Sequence, residues 1–387
     1  MFISRDIENE LFNLLAEYPV ITLLGPRQAG KTTLAKTALK DYSYANLEDP
    51  EIREIATHDP KAFLAQFQKK VIIDEIQRVP ELLSYIQVEV DTKPGNGLFV
   101  LTGSHQLSLR EAITQSLAGR TAILNLLPFS INELSKGGIE FGHFEDYCFS
   151  GFMPRIYKDK QWPTTAYANY YQTYVERDVR QLIQLKDASQ FEKMLKLLAG
   201  RIGQIFDYSS LANDVGVDAK TIRHWISILE ASFIIFKLSP YFENFGKRII
   251  KSPKYYFTDV GLLCYLLGIR ESEQITRDPL VGQIFENLVV MECLKTRYNK
   301  GQMADLYFFR DSRGNEVDIL AQSGRNLCAI EIKSASTFKM EQLKGLRSFK
   351  KVAENIRSSY LVYTGQQHSL SEGIEVVHFK NVASVLF

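Results

Sequence analysis

Gly25-Pro26-Arg27-Gln28-Ala29-Gly30-Lys31-Thr32-Thr33 spells the phosphate-loop pattern G-x-x-x-x-G-K-T. Val20-Ile21-Thr22-Leu23-Leu24 before it reads as a short strand, and Thr33 to Leu39 after it reads as a helix. Glycines let backbone N–H groups curl around a polyphosphate, and the helix that follows turns its positive end toward the same anion. Lys31 is placed to reach the β- and γ-phosphates, and Thr32 to ligate Mg²⁺. Gly25 to Thr33 is therefore the candidate nucleotide-binding segment.

A second segment, Val71-Ile72-Ile73-Asp74-Glu75, is an apolar strand ending in two carboxylates. A near-continuous hydrophobic run suits a buried parallel strand, and acids at its C-terminal end fall where open α/β sheets bind ligands. Asp74 would hold Mg²⁺ and Glu75 would orient the attacking water. A third strand, Leu98 to Thr102, runs into Gly103-Ser104, where Ser104 or Thr102 is the candidate γ-phosphate sensor. Thr-Gly-Ser is also an ordinary strand-ending turn. Helices are expected over 61–69, Pro80 to Val90 and Leu107 to Leu117, with a strand at 121–126. Strands alternating with helices predict a parallel α/β sheet.

The chain has 387 residues, enough for about two to three domains. A net charge of +1 gives no global field toward nucleic acid or membrane, so such binding requires a local patch. Cys148, Cys264, Cys293 and Cys328 are far apart and read as reduced core residues of a cytoplasmic protein. The start is too charged for a signal peptide, and no apolar run reaches the ~18 residues that span a membrane.

Tyr167, Tyr170, Tyr171 and Tyr174 fall at helical spacing, which favours core packing over base stacking. Two capped helices around Val215-Gly216-Val217, then β-like segments at 233–238 and 254–257, make a helix-turn-helix with a wing. Lys237, Lys247, Arg248, Lys251 and Lys254 against the single acid Glu243 give that wing a basic patch, a candidate DNA contact or protein-interaction surface. Further on, Glu316-Val317-Asp318-Ile319-Leu320 and Leu327-Cys328-Ala329-Ile330-Glu331-Ile332-Lys333 alternate polar and apolar residues around a turn. A hairpin would gather Asp318, Glu331 and Lys333 on one face. Two carboxylates suit Mg²⁺ and a lysine can position water, while a solvated charged face fits the same pattern equally well. Glu286, on the expected helix Val281 to Tyr298, offers a further acid.

In combination these segments resemble the prokaryotic AAA+-type ATPases that join a P-loop domain to a C-terminal winged helix and a PD-(D/E)XK nuclease-like domain of unknown function. The resemblance is carried by Leu24 to Thr33, Ile73-Asp74-Glu75-Ile76-Gln77, Leu101-Thr102-Gly103-Ser104, Leu117-Ala118-Gly119-Arg120, Leu127-Pro128-Phe129-Ser130, Tyr256 to Leu262, Phe285-Glu286-Asn287, and Glu316-Val317-Asp318 with Glu331-Ile332-Lys333. It implies an α/β fold in four parts: an ATPase core over 1–135, a helical lid over 136–203, a winged helix over 204–275 and a nuclease-like domain over 276–387. It implies a homo-oligomer that binds ATP and Mg²⁺, with Arg120 meeting the γ-phosphate in cis or from a neighbouring subunit. Glu286, Asp318, Glu331 and Lys333 match the nuclease-like pattern, although Val317 stands where its proline is expected. Arg155 and Arg177 are candidates for a sensor arginine. The function expected is ATP-driven action on nucleic acid, with possible cleavage by the C-terminal site. The alternative is an ATP-dependent switch that binds DNA or protein without cutting; a metabolic kinase ranks third, since no acceptor site is evident.

Overall fold

The strand before the phosphate loop, β1 (Val20–Leu24), is buried at every position. So are β3 (Val71–Asp74) and β4 (Phe99–Gly103). Such strands hold only in the middle of a sheet covered on both faces. The computed structural model describes residues 3–67, 69–104, 107–179, 188–241, 252–370 and 372–386. With β2 (Ser43–Asn46) and β5 (Thr121–Asn125), these strands form a five-stranded parallel sheet in the order β2-β3-β4-β1-β5. Ile7, Leu11, Ile21, Leu23, Leu34 and Val100 pack together on one face; Ile73, Leu82, Leu83, Ile86 and Leu101 belong to the core on the other. The helix expected from Thr33 spans Lys31–Ala38. Strand β2 escaped the sequence reading, because in this edge strand only Ala45 is buried.

The tyrosine stripe packs inward as expected: Tyr167, Tyr170, Tyr171 and Tyr174 are all buried. Tyr167 also holds Asp259, a buried carboxylate that ties three elements together. Asp259 accepts the Tyr167 hydroxyl at 2.6 Å, Phe152 N–H at 3.0 Å and Gly261 N–H at 2.9 Å. Burial still raises its pKa.

Helices Tyr208–Val215 and Ala219–Ala231 are capped by Asp207 and Asp218 and joined through Gly216, whose left-handed φ of 90° closes the first helix. The antiparallel pair β6 (Ile235–Pro240) and β7 (Lys254–Phe257) follows. This pair does not stand apart from what comes after it. Ser239 and Pro240 pair in parallel with Tyr307 and Phe308 of β8 (Leu306–Arg310). The remaining strands are β9 (Glu316–Ser323), β10 (Asn326–Lys333), β11 (Ile356–Tyr363), β12 (His368–Leu370) and β13 (Ile374–His378). All eight form one mixed sheet in the order β12-β13-β11-β10-β9-β8-β6-β7. Ile319, Cys328 and Ile330 share a core with helix Val281–Asn299, while Leu320, Leu327 and Ala329 pack with Leu343, Leu346 and Phe349 on the other side.

Candidate functional site

The phosphate loop leaves β1 at the C-terminal edge of the sheet. Gly25 is required there by close approach, since a Cβ would stand 2.0 Å from Leu126 O. Gly30 takes φ 93° at the start of the helix, where a side chain would be strained. Lys31 folds back over the loop and donates to Gly25 O and Pro26 O, each at 2.9 Å. Burial lowers its pKa to about 8, against the opposing pull of Glu75 and Asp74.

Asp74 accepts three hydroxyls. Thr32 donates to both carboxylate oxygens at 3.0 and 2.9 Å, Tyr44 donates at 2.7 Å, and Thr102 donates to Oδ1. Glu75 follows in the left-handed region, φ 58° and ψ 47°. Its backbone N–H donates to Thr102 Oγ1 at 3.2 Å, while its carboxylate accepts from Gln77 and lies 3.3 Å from the Ser104 hydroxyl. The structure thus brings Lys31, Thr32, Asp74, Glu75 and Ser104 into one cluster. It adds Tyr44 and Gln77, which sequence reasoning had not assigned. Gln77 lay within the quoted Ile73 to Gln77 segment; Tyr44 carried no signal.

A cleft of about 670 Å³ opens over the loop, lined among others by Arg27, Glu75, Arg155, Lys158 and Tyr174. Arg155 therefore lines the cleft from within the chain, its guanidinium donating to Asp159 at 3.1 Å; the Arg177 side chain lies outside what is described. Beside the cleft is a second cavity of about 320 Å³, mostly apolar, lined by Ile3, Leu34, Phe129, Pro154 and Tyr157 with Arg5 and Lys158. Arg5 fixes its wall, donating to Ala29 O at 2.7 Å, Leu127 O at 2.6 Å and Glu133 Oε1 at 2.9 Å. One buried guanidinium thereby joins the phosphate loop to the loop after β5. Sequence reading missed it because its partners are distant in the chain.

Arg120 goes elsewhere. Val20 N–H donates to Arg120 O, so Arg120 sits at the start of β1, whereas the phosphate loop leaves its end. At ~3.3 Å per residue the two are separated by roughly 16 Å of strand. The Arg120 guanidinium grips Asp91 at 2.6 and 2.9 Å. The expectation that it meets the γ-phosphate of its own chain is corrected.

The acids of the C-terminal half do come together. The β9–β10 register, carried one residue beyond Ile330 and Ile319, sets Asp318 across from Glu331. Ile332 N–H donates to Asp318 Oδ2 at 2.7 Å, and Lys333 Nζ lies 2.7 Å from Glu331 and 3.7 Å from Asp318. Between Val317 and Leu320, β9 carries one residue more than β8 opposite, a bulge beside Asp318. Burial, with Asp318 nearby, raises the Glu331 pKa to about 8. Glu286 is near enough to feel the Asp318 charge, but it receives Lys254 Nζ at 2.9 Å and the Tyr256 hydroxyl at 2.5 Å. Lys254 also contacts Glu316 at 2.5 Å. Two expectations change here. Lys254 is not part of an exposed wing patch but is buried among acids, and Lys247, Arg248 and Lys251 lie outside the described residues. Among the described residues no group of three or more His, Cys, Asp or Glu side chains is placed to hold a metal ion; Glu286, expected to join Asp318 and Glu331 around Mg²⁺, is engaged by Lys254 and Tyr256.

Comparison with known proteins follows this division. Residues 17–135 match the family described as AAA domain. Residues 142–273 and 281–382 match two families described as domains of unknown function, DUF8612 and DUF4143. An uncharacterized protein of Mycobacterium tuberculosis is 30% identical over 336 residues, which are 86% of this chain and 74% of that protein. The chain belongs to this family of AAA-domain proteins. Another relative, an uncharacterized protein of Haemophilus influenzae, is 23% identical over 394 residues, covering 92% of this chain and 91% of its own. Among solved structures, the Walker-type ATPase of Pyrococcus abyssi matches 69% of this chain and 96% of its own, at 16% identity and a TM-score of 0.46. The N-terminal unit is an AAA-type P-loop ATPase domain, and no described helix of this family member is long and apolar enough to cross a membrane.

Proposed function

We propose that this protein binds ATP with Mg²⁺ at Gly25–Thr33, hydrolyses it, and uses the nucleotide state to switch its C-terminal half. The observation that carries the reading is the hydroxyl network joining Thr32 of the phosphate loop to Asp74, with Glu75 and Ser104 beside it. Thr32 and Asp74 would hold Mg²⁺, which supplies charge neutralisation on the phosphates. Glu75 orients water, and Lys31 and Arg155 place positive charge around the phosphates. The apolar cavity beside the loop is sized for a nucleobase and supports its seating against Ile3, Phe129 and Tyr157.

For the C-terminal half, a switch without cleavage is the better-supported reading, because Lys254, which is no part of the nuclease-like pattern, stands on Glu286 and Glu316 where a nuclease would need free acids for metal. Contact with nucleic acid is supported by the outer face of helix Ala219–Ala231, where Lys220, Arg223, His224 and Ser227 are exposed as on a helix read by a DNA groove. An ATPase assay with Lys31→Ala and Glu75→Gln tests the first reading; both should lose turnover, and only Glu75→Gln should keep ATP binding. Salt-dependent binding of duplex DNA by wild type and Lys220→Glu/Arg223→Glu tests the second. Each lost phosphate contact lowers the log–log salt slope by about 0.9. Unchanged binding in the double variant would assign that face to protein partners.

A further inference from the structure

The C-terminal acid cluster draws on four elements. Helix Val281–Asn299 supplies Glu286, β9 supplies Glu316 and Asp318, and β10 supplies Glu331 with Lys333. The fourth, β7, belongs to the hairpin after the helix-turn-helix and supplies Lys254. Lys254 is only 2% exposed, with its ammonium between Glu286 and Glu316 and 5.5 Å from the centre of the Phe308 ring. Arg310 donates to the other Glu316 oxygen at 3.0 Å. Glu331 is 7% exposed, and its Oε2 has no hydrogen-bond partner.

We infer that Lys254 is an internal counter-cation closing a divalent-cation site, standing where a hard ion would otherwise be drawn by Glu286, Glu316, Asp318 and Glu331. Charge balance supports this. Four carboxyl groups face Lys254, Lys333 and Arg310; with all four ionised, as a bound cation would hold them, removing Lys254 leaves an excess of two negative charges, the charge of one divalent ion. Chemistry supports it as well. Carboxylate oxygens are the donors that Mg²⁺ and Mn²⁺ prefer, and the unpartnered Glu331 oxygen is available to a ligand. A tethered ammonium needs no free ion and loses little entropy on binding, so it excludes a weakly bound cation. The lysine comes from a strand continuous with the helix-turn-helix, so the state of this site is tied to how that module docks.

The test is Mn²⁺ binding by the full chain without nucleotide, followed by calorimetry and by thermal melting. Wild type should show no Mn²⁺ binding that depends on Asp318. Lys254→Met should gain one site at least tenfold tighter than anything in wild type, lost again in K254M/D318N, and Mn²⁺ should raise the melting temperature of Lys254→Met but not of wild type. If Lys254→Met is unfolded on its own, millimolar Mn²⁺ should restore its fold, because the ion replaces the missing charge. Asp318-dependent Mn²⁺ binding in wild type overturns the inference. So does a folded Lys254→Met that gains no site, or an unfolded one that Mn²⁺ does not rescue.

Discussion

Gln77 donates its side-chain amide to the Glu75 carboxylate and, from the same nitrogen, to Ser104 Oγ at 3.2 Å. The group assigned to orient water is thus engaged by a neighbour two residues on. Gln77→Ala should free that carboxylate and raise ATP turnover several-fold with ATP affinity unchanged. A fall in turnover instead would place Gln77 in the hydrolytic machinery. Glu75→Gln should lower the rate by about 10² or more, the usual scale for a lost general base. Steady-state phosphate release checks both.

Lys31 predicts a proton linkage. Its pKa in the nucleotide-free protein is lowered to about 8 by burial, and a polyphosphate would raise it. Below pH 8 the ammonium is charged with or without ligand, so affinity is flat. Above it, free Lys31 is neutral while bound Lys31 stays charged, so ATP binding takes up a proton and weakens as pH rises. Calorimetry at pH 9 in two buffers of different ionisation enthalpy should show that uptake, and only about a tenth of it at pH 7. Equal heats at pH 9 would reject the assignment.

Asp259 is a stability prediction. Asp259→Ala leaves Phe152 N–H and Gly261 N–H without their acceptor in a buried place, and leaves the Tyr167 hydroxyl only the Ser150 carbonyl at 3.4 Å. Each such orphan costs about 1–3 kcal/mol, so a loss of about 3 kcal/mol or more is expected from denaturant unfolding. Asp259→Asn, which keeps one acceptor oxygen, should lose less. Equal losses in both variants would point to charge rather than hydrogen bonding.

Arg120 tests subunit contact. Because it lies at the far end of the sheet from the phosphate loop, Arg120→Ala should leave turnover unchanged at concentrations where sedimentation shows single chains. Any effect should appear only in the part of wild-type turnover that rises with protein concentration. A rate loss in the single chain would contradict the placement.

Tyr44 holds the carboxylate of Asp74 through its hydroxyl. Tyr44→Phe removes one of three hydroxyl donors without changing shape, so half-maximal turnover should require several-fold more Mg²⁺ while saturating rates stay close to wild type. An unchanged Mg²⁺ titration would leave Tyr44 a packing residue.

What the sequence determined by itself is local. Gly25 to Thr33 requires a turn with two special backbone positions and a helix start, all encoded within nine residues, and β1, β3 and β4 are near-continuous apolar runs. The β9–β10 hairpin and its shared acidic face were legible because alternation and a short turn fix register between neighbours in sequence. The tertiary structure decided everything that joins distant segments. It made the β6–β7 pair part of the C-terminal sheet through two residues of pairing with β8. It turned Lys254 inward to Glu286 and Glu316, where composition had suggested a solvated basic wing. It sent Arg120 to Asp91, and it used Arg5 to bind the phosphate loop to Leu127 and Glu133. The reason is physical: a charge's environment is set by whatever the fold packs against it. The same lysine is a surface cation in water and a counter-ion among buried carboxylates, and only the packing of remote strands and helices distinguishes the two.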